Sequence, residues 1–247
     1  MALITLDDFL MKKLSPNTLR NLYVVRGHKG FLVKAVQEQL EFVNKVGLEP
    51  DGIFGGNTKR AVVSFQKTFH LLPDGIVGPV TAAVLFQFPI RWETRRPPFV
   101  RQPRWTCWAA SLASASQTIF PSTLIVNDLV EKYKGKNYLD KNDSIKSGNL
   151  YIKVLRDYGF KEILKISQIY VEFIIPYLKA GFPLILVDNS TGNTKHARVL
   201  YGVDISKGTG EIGFLFMDPM KGYTQESFGY IQSLTQKAWA THNSAAP

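Results

Sequence analysis

An Asp-Gly-Ile-x-Gly turn occurs twice in the first third of this 247-residue chain, as Asp51-Gly-Ile-Phe-Gly55 and Asp74-Gly-Ile-Val-Gly78. The two copies are 23 residues apart, and each precedes a helix-forming run. Aspartate can accept hydrogen bonds from its own downstream backbone, and glycine takes the positive-φ positions that tight turns need. Each copy therefore predicts a compact link between helices. Val36-Gln-Glu-Gln-Leu40 opens one helical pattern, Asn57 to Gln66 forms a second and Thr81 to Leu85 a third. Leu40, Ala61, Val62 and Phe65 supply apolar stripes at helical spacing. The expectation is a three-helix unit of about 60 residues, small but able to fold alone.

That combination of turns and helices, from about Gly30 to Phe86, resembles the peptidoglycan-binding domain attached to many cell-wall hydrolases. The Asn57-Thr58 helix start and Phe65-Gln66 belong to the likeness. The resemblance implies a groove for wall fragments, for which Asn57, Thr58 and Phe65 are the candidate residues. The two aspartates read as turn formers rather than ligand contacts. Such modules also serve as spacers or protein-binding units.

A second feature lies beyond this unit. Cys107 is the single cysteine of the chain, within Gln102-Pro-Arg-Trp-Thr-Cys107-Trp-Ala-Ala-Ser111. The small-residue run Ala109 to Ser116 that follows predicts a closely packed helix with the cysteine in its first turn. A thiol there meets the positive end of the helix dipole, which favours the nucleophilic thiolate. An unpaired cysteine by itself is more often a small buried hydrophobe, so the reading depends on partners. Of four histidines, His28 and His70 fall in the N-terminal unit and His242 in the terminal tail. His196 remains, opening an apolar, β-branched run after the turn-rich Asp188 to Asn193. The strand from His196 to Val203 and that from Ile212 to Met217 predict a hairpin centred near Lys207 and Gly208, which brings Asp218 beside His196. Asp204 is the rival, but eight residues of strand carry it about 26 Å away. Asp218 before Pro219 is also a common turn pattern in its own right.

Cysteine, histidine and aspartate in that order, on a helix and then a sheet, resemble the papain-like cysteine peptidases, in particular the bacterial effector-type and bacteriocin-leader branches. The likeness runs from roughly Pro103 to Trp239 and rests on Gln102, Cys107-Trp-Ala-Ala110, His196-Ala197 and Asp218-Pro219. It implies a Cys107, His196, Asp218 triad, with the Gln102 amide and the Cys107 N–H as oxyanion donors. Gln102 lies five residues before the nucleophile, where plant and lysosomal members have six. Arg104 stands where those members carry a further cysteine. The reaction implied is acyl transfer through a thioester, with no metal and no cofactor. Trp105 and Trp108 are the aromatic candidates for lining the cleft, although Trp108 and Trp239 also suit a core.

The expected fold class is α+β. A small three-helix domain precedes a papain-like domain in which helices (Leu124–Tyr133, Lys146–Tyr158, Ile169–Ala180) come before strands. Strands are expected from Pro183 onward, ending with Tyr223 to Ile231. The boundaries expected are an N-terminal helical extension over 1–25, the binding domain over 26–88, a linker over 89–102, the peptidase domain over 103–240 and a flexible tail over 241–247. The linker holds two adjacent prolines, Pro97 and Pro98, and reads as a stiff exposed connector. Five arginines between Arg91 and Arg104 against Glu93 give it four of the chain's ten net positive charges. No interleaved aromatic and basic pattern typical of nucleic-acid readers accompanies them, so nucleic acid is not an expected partner. Asp140 to Ile145 lacks the glycine and glutamate of a calcium loop.

No apolar stretch is long enough to span a membrane, and acidic Asp7 and Asp8 interrupt the start before a secretory signal could form. Thr5 and Asp8 suggest a helix cap there instead. The expected site of action is therefore the wall or periplasm after phage release or injection by a secretion machine, or a processed secreted form. Peptidoglycan is the expected partner, joined by an immunity or inhibitor protein if the chain is an injected antibacterial effector. Three activities fit the sequence: wall stem-peptide hydrolysis, proteolysis of proteins with the wall module as an address, and a non-hydrolytic acyltransferase or binding role.

Overall fold

The structure, a computed structural model, describes residues 22–103, 105–120, 123–135, 148–166, 169–188, 195–206, 208–234 and 236–241. These form two compact units. The first comprises the described chain up to Ile90 together with Tyr170–Glu172 and Ile205–Ile212, and the second the remainder. The expectations for Thr5 and Asp8, for Asp140 to Ile145 and for His242 lie outside the described residues, as does Arg104.

In the first unit three helices run α1 (Phe31–Asn44), α2 (Gly56–Thr68) and α3 (Pro79–Leu85). Helix α1 buries Val33, Val36, Gln37 and Leu40, and α2 buries Thr58, Ala61, Val62, Phe65 and Gln66. Both are stripes at the i, i+3, i+4, i+7 spacing of one helix face. Each stripe includes one glutamine, and both glutamines do the same work. Gln37 Nε2 lies 2.8 Å from Asp51 Oδ1, 3.1 Å from the Ile53 carbonyl and 3.0 Å from Thr58 Oγ1, while its Oε1 accepts from the Gly52 N–H at 2.8 Å. Gln66 Nε2 lies 2.8 Å from Asp74 Oδ1, 2.9 Å from the Ile76 carbonyl and 3.2 Å from Thr81 Oγ1, and its Oε1 accepts from Gly75 N–H at 2.9 Å. The aspartates close the turns by accepting from the N–H of Ile53 and of Ile76, each at 2.8 Å. Those bonds from Ile53 and Gln37 hold the Asp51 carboxyl below the usual carboxylate range. Gly52 and Gly75 have φ of 73° and 76°, the left-handed conformation the turns require. The repeat is thus one buried polar lock used twice.

The second unit joins helices to one mixed-length sheet. Strand β1 (Ile90–Glu93) is followed by α4 (Cys107–Ile119), α5 (Val126–Lys134) and α6 (Gly148–Asp157). Then come β2 (Phe160–Ile166), α7 (Val171–Lys179), β3 (Leu184–Asp188), β4 (His196–Ile205), β5 (Ile212–Asp218), β6 (Gly222–Ser227), α8 (Phe228–Ser233) and β7 (Gln236–Thr241). The sheet order is β2-β7-β3-β4-β5-β6, with β1 also pairing β4. The β2–β7, β7–β3, β3–β4 and β5–β6 pairs are antiparallel. The architecture is α+β. Trp108 to Ser116 are all buried, so α4 is enclosed on every side, as its small residues permit. Its apolar neighbours include Leu129, Val154, Ile185, Val199 and Met217.

Several expected elements differ from the observed ones. Residues 89–102 are not a free connector. Ile90–Glu93 is a sheet strand, and Thr94 N–H donates to the Tyr201 carbonyl at 2.9 Å. The Pro97 and Pro98 carbonyls accept from Tyr223 Oη and Ser114 Oγ, both at 2.7 Å, and the Arg96 guanidinium lies 3.6 Å from the Tyr223 ring centroid. Proline keeps its acceptor while losing its donor, so a proline pair can dock through its carbonyls. The stretch from Tyr223 to Ile231 is not one strand: Ser227 caps α8 by accepting from Tyr230 N–H, ending β6. Strand β2 precedes Pro183 among the helices, and β7 ends at Thr241, where fraying was expected.

Candidate active site

Cys107 is the first residue of α4. The turn before it is fixed by Thr106, whose Oγ1 donates to the Pro103 carbonyl at 2.6 Å and whose own carbonyl accepts from Ala109 and Ala110. One turn further along α4, Ser111 Oγ donates to the Ala197 carbonyl at 2.9 Å. That bond ties the cysteine helix to the residue after His196. Cys107 Sγ itself lies 4.0 Å from the Lys195 carbonyl oxygen, one residue before it. The thiol is half-buried and in no disulfide.

His196 begins β4 and is buried. Its Nε2 lies 3.1 Å from Asp218 Oδ2 at the end of β5. With Nε2 engaged, Nδ1 is the nitrogen left for the thiol. Burial opposes charge on this ring, but hydrogen bonds to Asp218 and Cys107 and the charges of both outweigh it, pushing the imidazole up to about 9. Burial also pushes the Asp218 carboxyl up, and is outweighed by the bond and charge of His196 and by backbone donors, so it stays below its usual range. Those donors are Met220 N–H at 2.7 Å and Lys221 N–H at 3.2 Å, both to Oδ1. The Asp-Pro turn therefore aims one carboxylate oxygen at the imidazole while the other is occupied.

Gln102 is half-buried, and its backbone N–H donates to the Pro219 carbonyl at 3.1 Å, which attaches the segment before the cysteine to the residue after Asp218. An open groove of about 500 Å³ runs beside it, lined by Arg101, Gln102, Pro103, Ile125, Val126 and Asn127. Trp105 is 48% exposed, whereas Trp108 is 2% exposed and packs edge-on against Tyr133. Of the two expected cleft tryptophans, Trp108 is corrected to a core residue. In the first unit Thr58 and Phe65 are corrected likewise. Both are 1% exposed, Thr58 inside the Gln37 lock and Phe65 against Phe69 with ring centroids 4.5 Å apart. Asn57 is exposed and accepts from Arg60.

Sequence reasoning missed Ser111, the two lock glutamines, and a buried pair between Asp188 on β3 and Arg198 on the strand of His196. The glutamines could have been found, because each belongs to a helix that a turn aspartate must face. Among the described residues no group of three or more His, Cys, Asp or Glu comes together as metal ligands would, and no helix is long and apolar enough to cross a membrane.

Comparison with known proteins gives two matches in succession. Residues 29–85 match the family described as a peptidoglycan binding domain, and residues 94–238 match papain-like cysteine protease AvrRpt2. A protein of Kitasatospora aureofaciens, described as an uncharacterized protein in the bpoA1 3' region, is 47% identical over 57 residues, 23% of this chain and 48% of that protein. The chain thus spans about half the length of that curated relative. Among solved structures, the endolysin of Burkholderia AP3 phage matches at 28% identity and a TM-score of 0.26, over 45% of this chain and 38% of its own. A double glycine motif protease from an AMS/PCAT transporter, in complex with the leader peptide, matches at 17% identity and a TM-score of 0.35, over 62% of this chain and 99% of its own.

Proposed function

This chain belongs to the papain-like cysteine protease AvrRpt2 family, and we propose that it hydrolyses peptide bonds in the stem peptides of peptidoglycan, to which its N-terminal unit directs it. The observation that carries the catalytic part is the buried His196–Asp218 pair at 3.1 Å, with the sole cysteine acting on the same imidazole from a helix N-terminus. In this reading the resting pair is Cys107 thiolate and His196 imidazolium. The thiolate attacks the scissile carbonyl carbon, and the oxygen's negative charge falls to the Gln102 amide and the Cys107 N–H. His196 gives its proton to the departing amine as the C–N bond breaks, leaving a thioester. The neutral imidazole then takes a proton from water, the hydroxide adds to the thioester, and collapse releases the acid and restores the thiolate–imidazolium pair. Asp218 holds the ring in the required tautomer throughout.

In this reading the open groove lined by Gln102 receives part of the substrate chain, with exposed Trp105 near it in sequence. The substrate assignment rests on the joined peptidoglycan-binding match. Purified sacculi treated with wild type or Cys107→Ala, followed by mass spectrometry of the soluble fragments, test it. New amine termini in stem peptides from wild type alone are the expected result. Binding of both proteins to sacculi with no fragments from either would make the wall an address and proteins the substrate.

A further inference from the structure

The sheet face that carries the histidine also carries a buried pair of opposite charges that the mechanism does not use. Asp188 and Arg198 are 0% and 1% exposed. Arg198 Nε donates to Asp188 Oδ2 at 3.2 Å, and Nη2 donates to the same oxygen. Nη1 lies 3.6 Å from Glu226 Oε1, and the guanidinium carbon is 4.3 Å from the Phe216 ring centroid. Asp188 is the register partner of His196 in the β3–β4 pair, so their side chains leave the same face. Arg198 follows His196 by two residues, and Phe216 precedes Asp218 by two, which puts them on that face as well. The guanidinium thus holds β3, β5 and β6 to the strand bearing the imidazole, on the sheet face that carries the histidine–aspartate pair.

Stability alone does not account for such an arrangement, because a buried ion pair is costly to desolvate and an apolar pair of similar volume is often as stable or more so. We propose that Asp188 and Arg198 are positioning residues for His196: the pair locks its strand in register, and the Asp188 carboxylate cancels the Arg198 cation that would otherwise oppose the imidazolium. The inference rests on the triad reading above. Among the described residues, the titratable groups that interact with His196 are the Cys107 thiol from α4 and Asp218 from β5; Asp188 is its register partner on β3, Arg198 lies two residues along its own strand, and Glu226 on β6 faces Arg198. With Asp188 neutral, Arg198 becomes an incompletely balanced cation on a buried face. It then disfavours the imidazolium, moving the His196 titration to lower pH.

Because Cys107 is the only cysteine, the rate of its alkylation by iodoacetamide against pH reads the thiolate–imidazolium pair without any substrate. Wild type, Asp188→Asn and the double variant Asp188→Leu/Arg198→Met would be compared, with tryptophan fluorescence in denaturant as the control for folding. Wild type is expected to show two inflections, the higher one where His196 loses its proton. In Asp188→Asn that second inflection should fall by about one pH unit or more. In the double variant, which removes both charges, it should return toward wild type, a rescue that simple structural damage would not produce. An unshifted profile in folded Asp188→Asn, or a double variant shifted as far as the single, overturns the inference while leaving the triad intact. An ordinary single thiol titration in wild type sinks the triad reading and this inference with it.

Discussion

Both units bury polar side chains, but they bury them for different ends. In the first unit, Gln37 and Gln66 bond side chains 8 to 21 residues away, and the bonds of one glutamine match those of the other. Neither lock contains a histidine or a cysteine. In the second unit, Ser111 reaches 86 residues to Ala197, and His196 reaches 22 to Asp218. There the buried groups are charged, unequal and gathered at one end of the sheet. A duplicated network built around turn geometry serves the fold, whereas a single one whose members shift each other's protonation is the sort of arrangement that active sites require.

The largest effects should separate the units cleanly. His196→Ala is expected to lower the rate of stem-peptide release by about 10⁴-fold or more, while amide hydrogen exchange in residues 31–85 stays as in wild type. Loss of exchange protection there would break the division. Asp218→Asn should cost roughly 10³–10⁴-fold in kcat by favouring the wrong tautomer, and should lower the alkaline limb of the Cys107 alkylation profile. Gln102→Ala should lower kcat by about 10²–10³-fold with little change in KM if its amide receives the oxyanion. A change confined to KM would make it a binding residue instead.

Stability effects come next. The His196 proton links folding to pH. Its affinity is raised from 6.5 unfolded to about 9 folded, so the stabilisation is fully present below pH 6.5 and is lost as pH rises toward and through 9. The loss is about 3 kcal/mol at most, since one pKa unit is worth roughly 1.4 kcal/mol. All four tryptophans, Trp92, Trp105, Trp108 and Trp239, belong to the second unit, so fluorescence-detected urea unfolding at pH 6 and pH 9.5 measures it there. A flat profile, or the same slope in Asp218→Asn, would contradict the linkage.

Gln37→Ala and Gln66→Ala should each destabilise the first unit by about 2–3 kcal/mol, because each strands a buried glycine N–H and the turn groups around it. Equal losses in hydrogen exchange would confirm that the locks are equivalent, and unequal ones would show that one turn carries more of the unit. Ser111→Ala should be the mildest change, about 1 kcal/mol. It should nevertheless slow Cys107 alkylation, since the serine sets the distance between helix and histidine strand.

Much of this was legible in the chain. The repeated Asp-Gly-Ile-x-Gly turns are local: aspartate, glycine and the helix start lie within eight residues, and turn chemistry acts at that range. Cys107 before a small-residue run, and the hairpin that brings Asp218 to His196, follow from short-range pattern and strand counting. Thr58 and Phe65 were misjudged because the same helix-start and aromatic signals that mark a binding face also mark a core. Residues 89–102 were misjudged because proline and arginine describe a connector in composition, while the carbonyls that dock it have no sequence signal. Strand β7 depends on partners at Phe160–Ile166 and Leu184–Asp188, which no local pattern announces.

The sequence by itself determined the two units, their order, the α+β class and the candidate nucleophile, base and orienting carboxylate, since these depend on turn chemistry and periodicity over a few residues. Only the tertiary structure decided which polar side chains are buried together. The Gln37 and Gln66 locks, the Ser111 tie and the Asp188–Arg198 pair on the His196 face of the sheet are matters of register and helix packing. Such contacts are fixed by the hydrophobic face each element must bury, and that face exists only once the elements have met.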